Sequence, residues 1–515
     1  MHPRHHAALH PDRPALVLAD TGACISYREL VDNSDRAAQL FAALGLVEGD
    51  TIALFLENHI RYAELCWAAK NSGITYACIS SQATVEEASY IVDNCDARLL
   101  ISSAALAGVA LEVARPRAPT LRCLMLDAAS APFESYETRL ADMPAQPLSG
   151  RRRGPSMLYS SGTTGKPKGV RTPLLDEPPE TPPRRLAMLR QHYGLDADTV
   201  LVCPGPFYHA APGRFTMSVQ RCGGTMIGFA KFDAEAALAA VEKHRATHGL
   251  FVPTMFIRML KLDADVRAHY RHDSLRCVLH LAAPCPVPVK QQMIDWWGPV
   301  IEEIYGGTEA VGHTLINSRQ WLAHQGSVGL PAAGCSIRIV DEAGLELPPF
   351  VPGLIQMRNG HRFEYYKDAE KTRSALREDG WGTLGDIGYL DAEGYLYLTD
   401  RQSHMIVSGG VNIYPQEVES LLYSHADIAD VAVIGVPHEE FGEAVKAVVQ
   451  PKVYPVADAE RLALDILRYC RERLSPIKCP RSVDFVESLP RNESGKLLKR
   501  LVKAPYWAGR ANQLI

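Results

Sequence analysis

At 515 residues the chain exceeds what a single core usually serves, so two or more domains are expected. Lysine and arginine number 54 against 59 acidic residues, and the resulting net charge of −5 offers no global attraction for nucleic acid. No apolar run approaches the roughly eighteen residues that span a bilayer, so substrates are expected to be small and membrane contact peripheral at most.

The chain opens on a polar, histidine-rich stretch with His2, His5, His6 and His10. Its spacing fits no metal motif, and a disordered terminus is expected. With no apolar leader and twelve cysteines lacking any CxxC pair, the reading is a reduced, cytoplasmic protein. A strand over Thr51–Phe55, a helix over Tyr62–Asn71, and strands at Leu99–Ile101 and Val200–Val202 alternate, as α/β layers with largely parallel sheets do. The proline-rich stretch 176–184, DEPPETPPR, reads as an exposed crossing loop. Ile387–Leu390 and Tyr395–Leu398 flank the turn Asp391-Ala392-Glu393-Gly394 and predict a β-hairpin. Beyond Arg401 lies a small α+β unit: a helix starting at Pro415, strands at Val431–Ile434, Ala444–Val449 and Val483–Phe485, and a helix over Leu462–Leu474.

The chemistry concentrates in residues 159–170, YSSGTTGKPKGV. Glycines at 162, 165 and 169 let backbone N–H groups turn toward an anion, and the hydroxyls of Ser160, Ser161, Thr163 and Thr164 add donors, with Lys166 and Lys168 adding charge. A Walker-type loop is excluded: two residues instead of four separate Gly162 from Gly165-Lys166, and Pro167 stands where the magnesium-binding hydroxyl is needed. The apolar Met157-Leu158-Tyr159 suggests a strand that delivers the loop.

This loop resembles the signature loop of the adenylate-forming superfamily, in its acyl-CoA synthetase branch. Six further motifs follow in that family's order: PFYHAAPG (206–213), YGGTEA (305–310), GSVGLP (326–331), GWGTLGDIGYLDAEGYLYLTDR (380–401), SGGVNIYPQEVE (408–419) and PRNESGKLLKR (490–500). The resemblance implies a large N-terminal multi-subdomain α/β domain, residues 1–401, and a small mobile C-terminal α+β domain, residues 402–515. It implies ATP, Mg2+ and coenzyme A as cofactors, a carboxylic acid as substrate, and formation of an acyl-adenylate that becomes an acyl-CoA. A homodimer is compatible with it. The alternatives are an enzyme that loads a carrier protein, and a nucleotide-binding protein without ligase activity.

Carried over by motif, the 159–170 loop holds the departing phosphates. Glu309 is the expected metal ligand, Thr308 a donor to the α-phosphate, and Tyr305 with Gly306 the adenine platform. Asp386 and Arg401 take the ribose hydroxyls; a carboxylate suits that task because it accepts two hydrogen bonds at once. Lys496 resembles the family's adenylation lysine, bridging carboxylate and α-phosphate, and Gly409-Gly410 would border the pantetheine tunnel. Ser403 departs from the family's frequent hinge lysine. His209 is expected to guard the reacting carboxylate. The acyl pocket is expected from Phe207, Tyr208, Phe251, Met255, Phe256, Ala282 and Ala283, with Gly306 and Gly307 leaving it depth. Amino-acid-activating relatives place an aspartate after the histidine motif; Ala210 to Phe215 offers none, so an uncharged acyl group, aliphatic or ring-bearing, is expected.

Overall fold

The computed structural model describes residues 1–160, 167–401, 404–408, 411–492 and 495–508, and the side chains of these except Ser160, Arg401 and Asn412. Strand runs of apolar and β-branched residues assemble into three sheets. Thr51–Phe55 and Thr75–Ile79 are buried at every position, as strands covered on both faces must be, and pair in parallel at the centre of an eight-stranded sheet. A thirteen-stranded sheet has one antiparallel edge pair, Pro14–Leu18 with Cys24–Ser26, then five parallel pairings, and turns antiparallel from Ile301–Gly306 onward. The third sheet has five strands, all between Ile406 and Phe485. The expectation of a large α/β part followed by a small α+β part holds.

The helix Tyr62–Asn71 forms at the expected bounds, and the hairpin appears as Asp386–Leu390 against Leu396–Arg401. In the small domain the helix starts at Pro415, where a missing N–H costs nothing. Residues 176–183 form a loop as expected, with Arg184 already opening the helix Arg184–Tyr193, but the loop is tied down by Arg153, which donates to Glu177, and by Arg221, whose Nη2 lies 2.7 Å from the Pro179 carbonyl.

The amino terminus departs from expectation. Pro3–Leu9 is a helix capped by the His2 side chain, which accepts from the Arg4 N–H. His2 and His6 are buried, pairing with Asn71 Oδ1 and the Arg221 carbonyl, each at 3.0 Å. Contacts with residues 71 and 221 order this stretch, and no local pattern announces partners so far away.

Burial pushes the His2 imidazole down to about 4, and His280, fully buried, well below its ordinary value. Histidine in the unfolded chain titrates near 6.5, so between about 6.5 and 4 the unfolded state binds more protons. Stability is fully present above pH 6.5 and is lost as pH falls through that window. The melting temperature is therefore expected to drop between pH 7.5 and pH 5; an unchanged value would contradict the burial.

Candidate active site

The strand Ser156–Ser160 turns back through the phosphate loop into Lys168–Arg171, with Ser160 opposite Lys168. Ser161, Gly162, Thr163, Thr164, Gly165 and Lys166 lie outside the described residues, as do Gln402, Ser403, Gly409 and Gly410. Lys168 reaches across the loop base, its Nζ 5.1 Å from the centre of the Tyr365 ring. The Tyr365 hydroxyl donates to Glu309 Oε1 at 2.7 Å. The loop base and the candidate metal ligand thus meet through one tyrosine. A single carboxylate held by a hydroxyl suits magnesium, which prefers one or two protein carboxylates with phosphate and water completing its shell.

Tyr305 is the penultimate residue of the strand Ile301–Gly306, and its hydroxyl donates to Asp386 Oδ2 at 2.8 Å. Asp386 lies opposite Arg401 in the hairpin register. Antiparallel pairing therefore gathers the three residues proposed for the nucleoside, although 81 positions separate Tyr305 from Asp386. Ala282 and Ala310 hold left-handed backbone, φ 73° and 55°, a conformation that non-glycine residues rarely keep without cause. Asn359 Nδ2 donates to the Ala310 carbonyl at 2.9 Å and helps secure one of them.

His209 caps the helix Ala210–Cys222, and its buried Nε2 has no hydrogen-bond partner. Burial first, then the positive charge of Lys496, pushes its pKa down to about 4, so the ring is neutral at physiological pH. Lys496 belongs to the small domain and His209 to the large one, so the two are brought together across the domains. The lysine sits on a braced turn. Its N–H donates to Asn492 Oδ1 at 2.8 Å, and Arg491 donates to the Gly495 carbonyl at 2.6 Å while gripping Asp430 with two bonds of 2.7 Å.

A cavity whose empty volume, mouth included, is about 410 Å³ opens beside His209. Its walls come from Tyr62 and Cys66 on one helix, Tyr76 and Cys78 on the next strand, Leu158 and Phe207, with Arg214 and Met217 on the helix after His209. Of the expected pocket residues, Phe207 and His209 line it. Phe251, Met255 and Phe256 do not: they are 1%, 4% and 0% exposed and belong to the hydrophobic core, where both phenylalanine rings pack on Trp297. Tyr208 is buried beside the His209 ring, and Ala282 is exposed.

Gly306 and Gly307 do not give the cavity depth either. A Cβ on Gly306 would meet the Gly312 carbonyl and His313, each at 3.1 Å, and one on Gly307 would lie 2.4 Å from Leu384 and 2.7 Å from Glu309 Oε2. Both glycines serve close packing, Gly306 against Gly312 and His313 and Gly307 against Leu384 and Glu309. Gly307→Val is accordingly expected to depress activity on every acid alike by displacing Glu309. Selective loss of the largest acids would instead put Gly307 back in the pocket wall.

Residues 3–366 match the family described as AMP-binding enzyme, and residues 417–496 match its C-terminal domain. The chain belongs to this family. Feruloyl-CoA synthase of Amycolatopsis sp is 32% identical over 94% of each chain. A 2-succinylbenzoate–CoA ligase of Bacillus licheniformis is 30% identical over 96% of this chain and 98% of its own. Among solved structures, ATP-bound MatB from Rhodopseudomonas palustris superposes with a TM-score of 0.83 at 28% identity, covering 99% of both chains. The family member described here falls in the acyl-CoA synthetase branch, the AMP-forming acid–thiol ligases, whose cosubstrates are ATP, magnesium and coenzyme A.

Proposed function

We propose that this ligase activates an acid with a bulky apolar body, fatty or ring-bearing, as its acyl-adenylate and then transfers the acyl group to coenzyme A. One acid oxygen attacks the α-phosphorus of ATP and pyrophosphate leaves. The thiolate sulfur then attacks the acyl carbon, and AMP departs with that oxygen. The observation that carries the reading is the Lys496 turn seated closely on the large domain, Gly495 against Thr254, with the lysine's charge felt at His209. Two anions about 4 Å apart repel by about 4 kcal/mol at an effective dielectric near 20, and a lysine bridging them removes that barrier. The orphaned His209 Nε2 is suited to meet the acid. The apolar walls at Leu158, Phe207 and Met217 support a bulky body.

In this reading Glu309 holds magnesium, Thr308 contacts the α-phosphate, and Asp386, Arg401 and Tyr305 hold the nucleoside. The 159–170 loop takes the departing phosphates, and Gly409-Gly410 borders the thiol path. The domains divide at Arg401, into 1–401 and 402–515, with the hinge just beyond. The enzyme works in the cytoplasm: its twelve cysteines are free thiols, and among the described residues no helix is long and apolar enough to cross a membrane.

The test is pyrophosphate release over short, branched, long-chain and aryl acids, with and without coenzyme A. Release that requires an acid, with thioester and AMP appearing only when coenzyme A is added, is expected. Release without any thioester would reassign the acceptor, and ATP turnover independent of acid would overturn the reading.

A further inference from the structure

The cavity beside His209 is apolar over most of its wall, yet Arg214 projects from the helix Ala210–Cys222 as part of its lining. One of its nitrogens, Nη2, donates to the Thr308 carbonyl at 3.1 Å. Among the described residues no carboxylate lies within salt-bridge distance of it; Glu309 is felt only as a more distant charge, and its hydroxyl partner is Tyr365. A guanidinium has five donors in a planar fork, so one carbonyl leaves most of them for something else.

The positive charge does not stop at Arg214. Tyr76, also in the wall, carries the Lys70 ammonium 5.3 Å from its ring centre, and Lys70 lies two turns along the helix that contributes Tyr62 and Cys66. Arg185 is an electrostatic neighbour of Tyr76, Lys70 and Arg214. Neither Lys70 nor Arg185 has an acidic partner within salt-bridge distance among the described residues. Burial lowers the pKa of all three cations. For Lys70, pushed down to about 7, the next contribution is the charge of Arg185; for Arg185, pushed down to about 10, it is that of Arg214.

A second weakly satisfied group faces the same space. The Tyr62 hydroxyl is buried with no oxygen or nitrogen partner; its neighbours are the Cys78 and Cys66 thiols and Tyr76, and the Cys78 thiol bonds it only weakly. Partly buried cations without carboxylate partners, beside a buried hydroxyl met only by a thiol, are costly unless an anion completes them in the working state. The reacting carboxylate already has Lys496 and His209. A monocarboxylic acid with an apolar tail would leave the rest of this charge uncompensated.

Resting on the acyl-CoA ligase reading above, we infer that the acid carries a second carboxylate, held by the Arg214 guanidinium in the cavity beside His209, with a compact apolar spacer against Phe207, Leu158 and Met217. The stretch after the histidine motif lacks an aspartate for an ammonium, but its arginine selects a carboxylate where the sequence reading expected an uncharged acyl group. The spacer is short or ring-like, since His209 and Arg214 line the same cavity.

The test compares succinate, glutarate and phthalate with butyrate, valerate and benzoate in acid-dependent pyrophosphate release, for the wild type, Arg214→Leu and Arg214→Lys. The wild type is expected to prefer at least one diacid over its monoacid counterpart by about tenfold or more in kcat/KM. In Arg214→Leu that ratio falls by about a hundredfold, the scale of one lost charge-assisted hydrogen-bonded contact, and Arg214→Lys recovers part of it. If the wild type prefers monoacids and Arg214→Leu lowers both sets equally, the arginine only holds Thr308 and the inference is overturned. A raised KM for ATP with unchanged acid preference overturns it too, by assigning the guanidinium to the nucleotide. Acid-dependent turnover of monoacids alone defeats this inference and leaves the ligase reading standing, whereas no acid-dependent turnover at all defeats the ligase reading.

Discussion

Lys496→Ala is expected to lose about a thousandfold in adenylation rate while still converting a supplied acyl-adenylate and coenzyme A to thioester. The ammonium is useful only while carboxylate and α-phosphate are both present as anions; once the adenylate exists, its bridging task is over. Three features of the small domain hold the lysine for that step. Asn492 accepts its backbone N–H, the Arg491 guanidinium ties the preceding carbonyl, and Asp430 with the Tyr423 hydroxyl, 2.9 Å from Arg491 Nη2, fixes the arginine. Pre-steady-state measurement of pyrophosphate release and of thioester formation separates the two steps. Equal loss in both would remove Lys496 from a step-specific role.

Gly495→Ala is expected to act on the same step through geometry alone. Gly495 has φ +75°, where any side chain is strained, and a Cβ there would lie 2.0 Å from Thr254 Oγ1 and 3.1 Å from Thr254 Cβ on the large domain. The close approach therefore needs glycine on one side. The lysine turn would be held off by an ångström or more, a displacement that costs about a hundredfold where reacting groups must align. Thr254→Ala removes the hydroxyl that would be struck, so the double variant Gly495→Ala/Thr254→Ala should recover part of the adenylation rate, while the thioester step stays near wild type in both. A double variant no better than Gly495→Ala would show that backbone strain, and not the contact between domains, is responsible.

How much could be read from sequence follows how local each feature is. The hairpin bearing Asp386 and the strands flanking the 161–166 loop are short motifs whose turn residues sit side by side, and these elements form as expected. The cavity wall was missed because Tyr62, Cys66, Tyr76 and Cys78 precede His209 by more than 130 positions and meet it only when two sheets close on each other. The signal available was faint: Tyr62, Cys66 and Lys70 recur at helical spacing, and Arg214 interrupts an otherwise apolar face between Pro212 and Met217. Phe251, Met255 and Phe256 show the converse, since large apolar residues beside a motif fill a core as readily as they line a pocket. Gly306 and Gly307 were read as vacancies. What a glycine makes room for depends on the neighbour, and here the neighbours are Gly312, His313, Leu384 and Glu309.

The most direct test of adenylate formation followed by thiol transfer is to trace the acid's oxygen. An accepted acid labelled with 18O in its carboxylate is incubated with ATP, magnesium and coenzyme A, and the nucleotide product is weighed by mass spectrometry. The account predicts AMP carrying one 18O atom and pyrophosphate carrying none, because the attacking oxygen stays on the α-phosphorus when the thiol takes the acyl group. Unlabelled AMP, or label in inorganic phosphate alongside ADP, would contradict it.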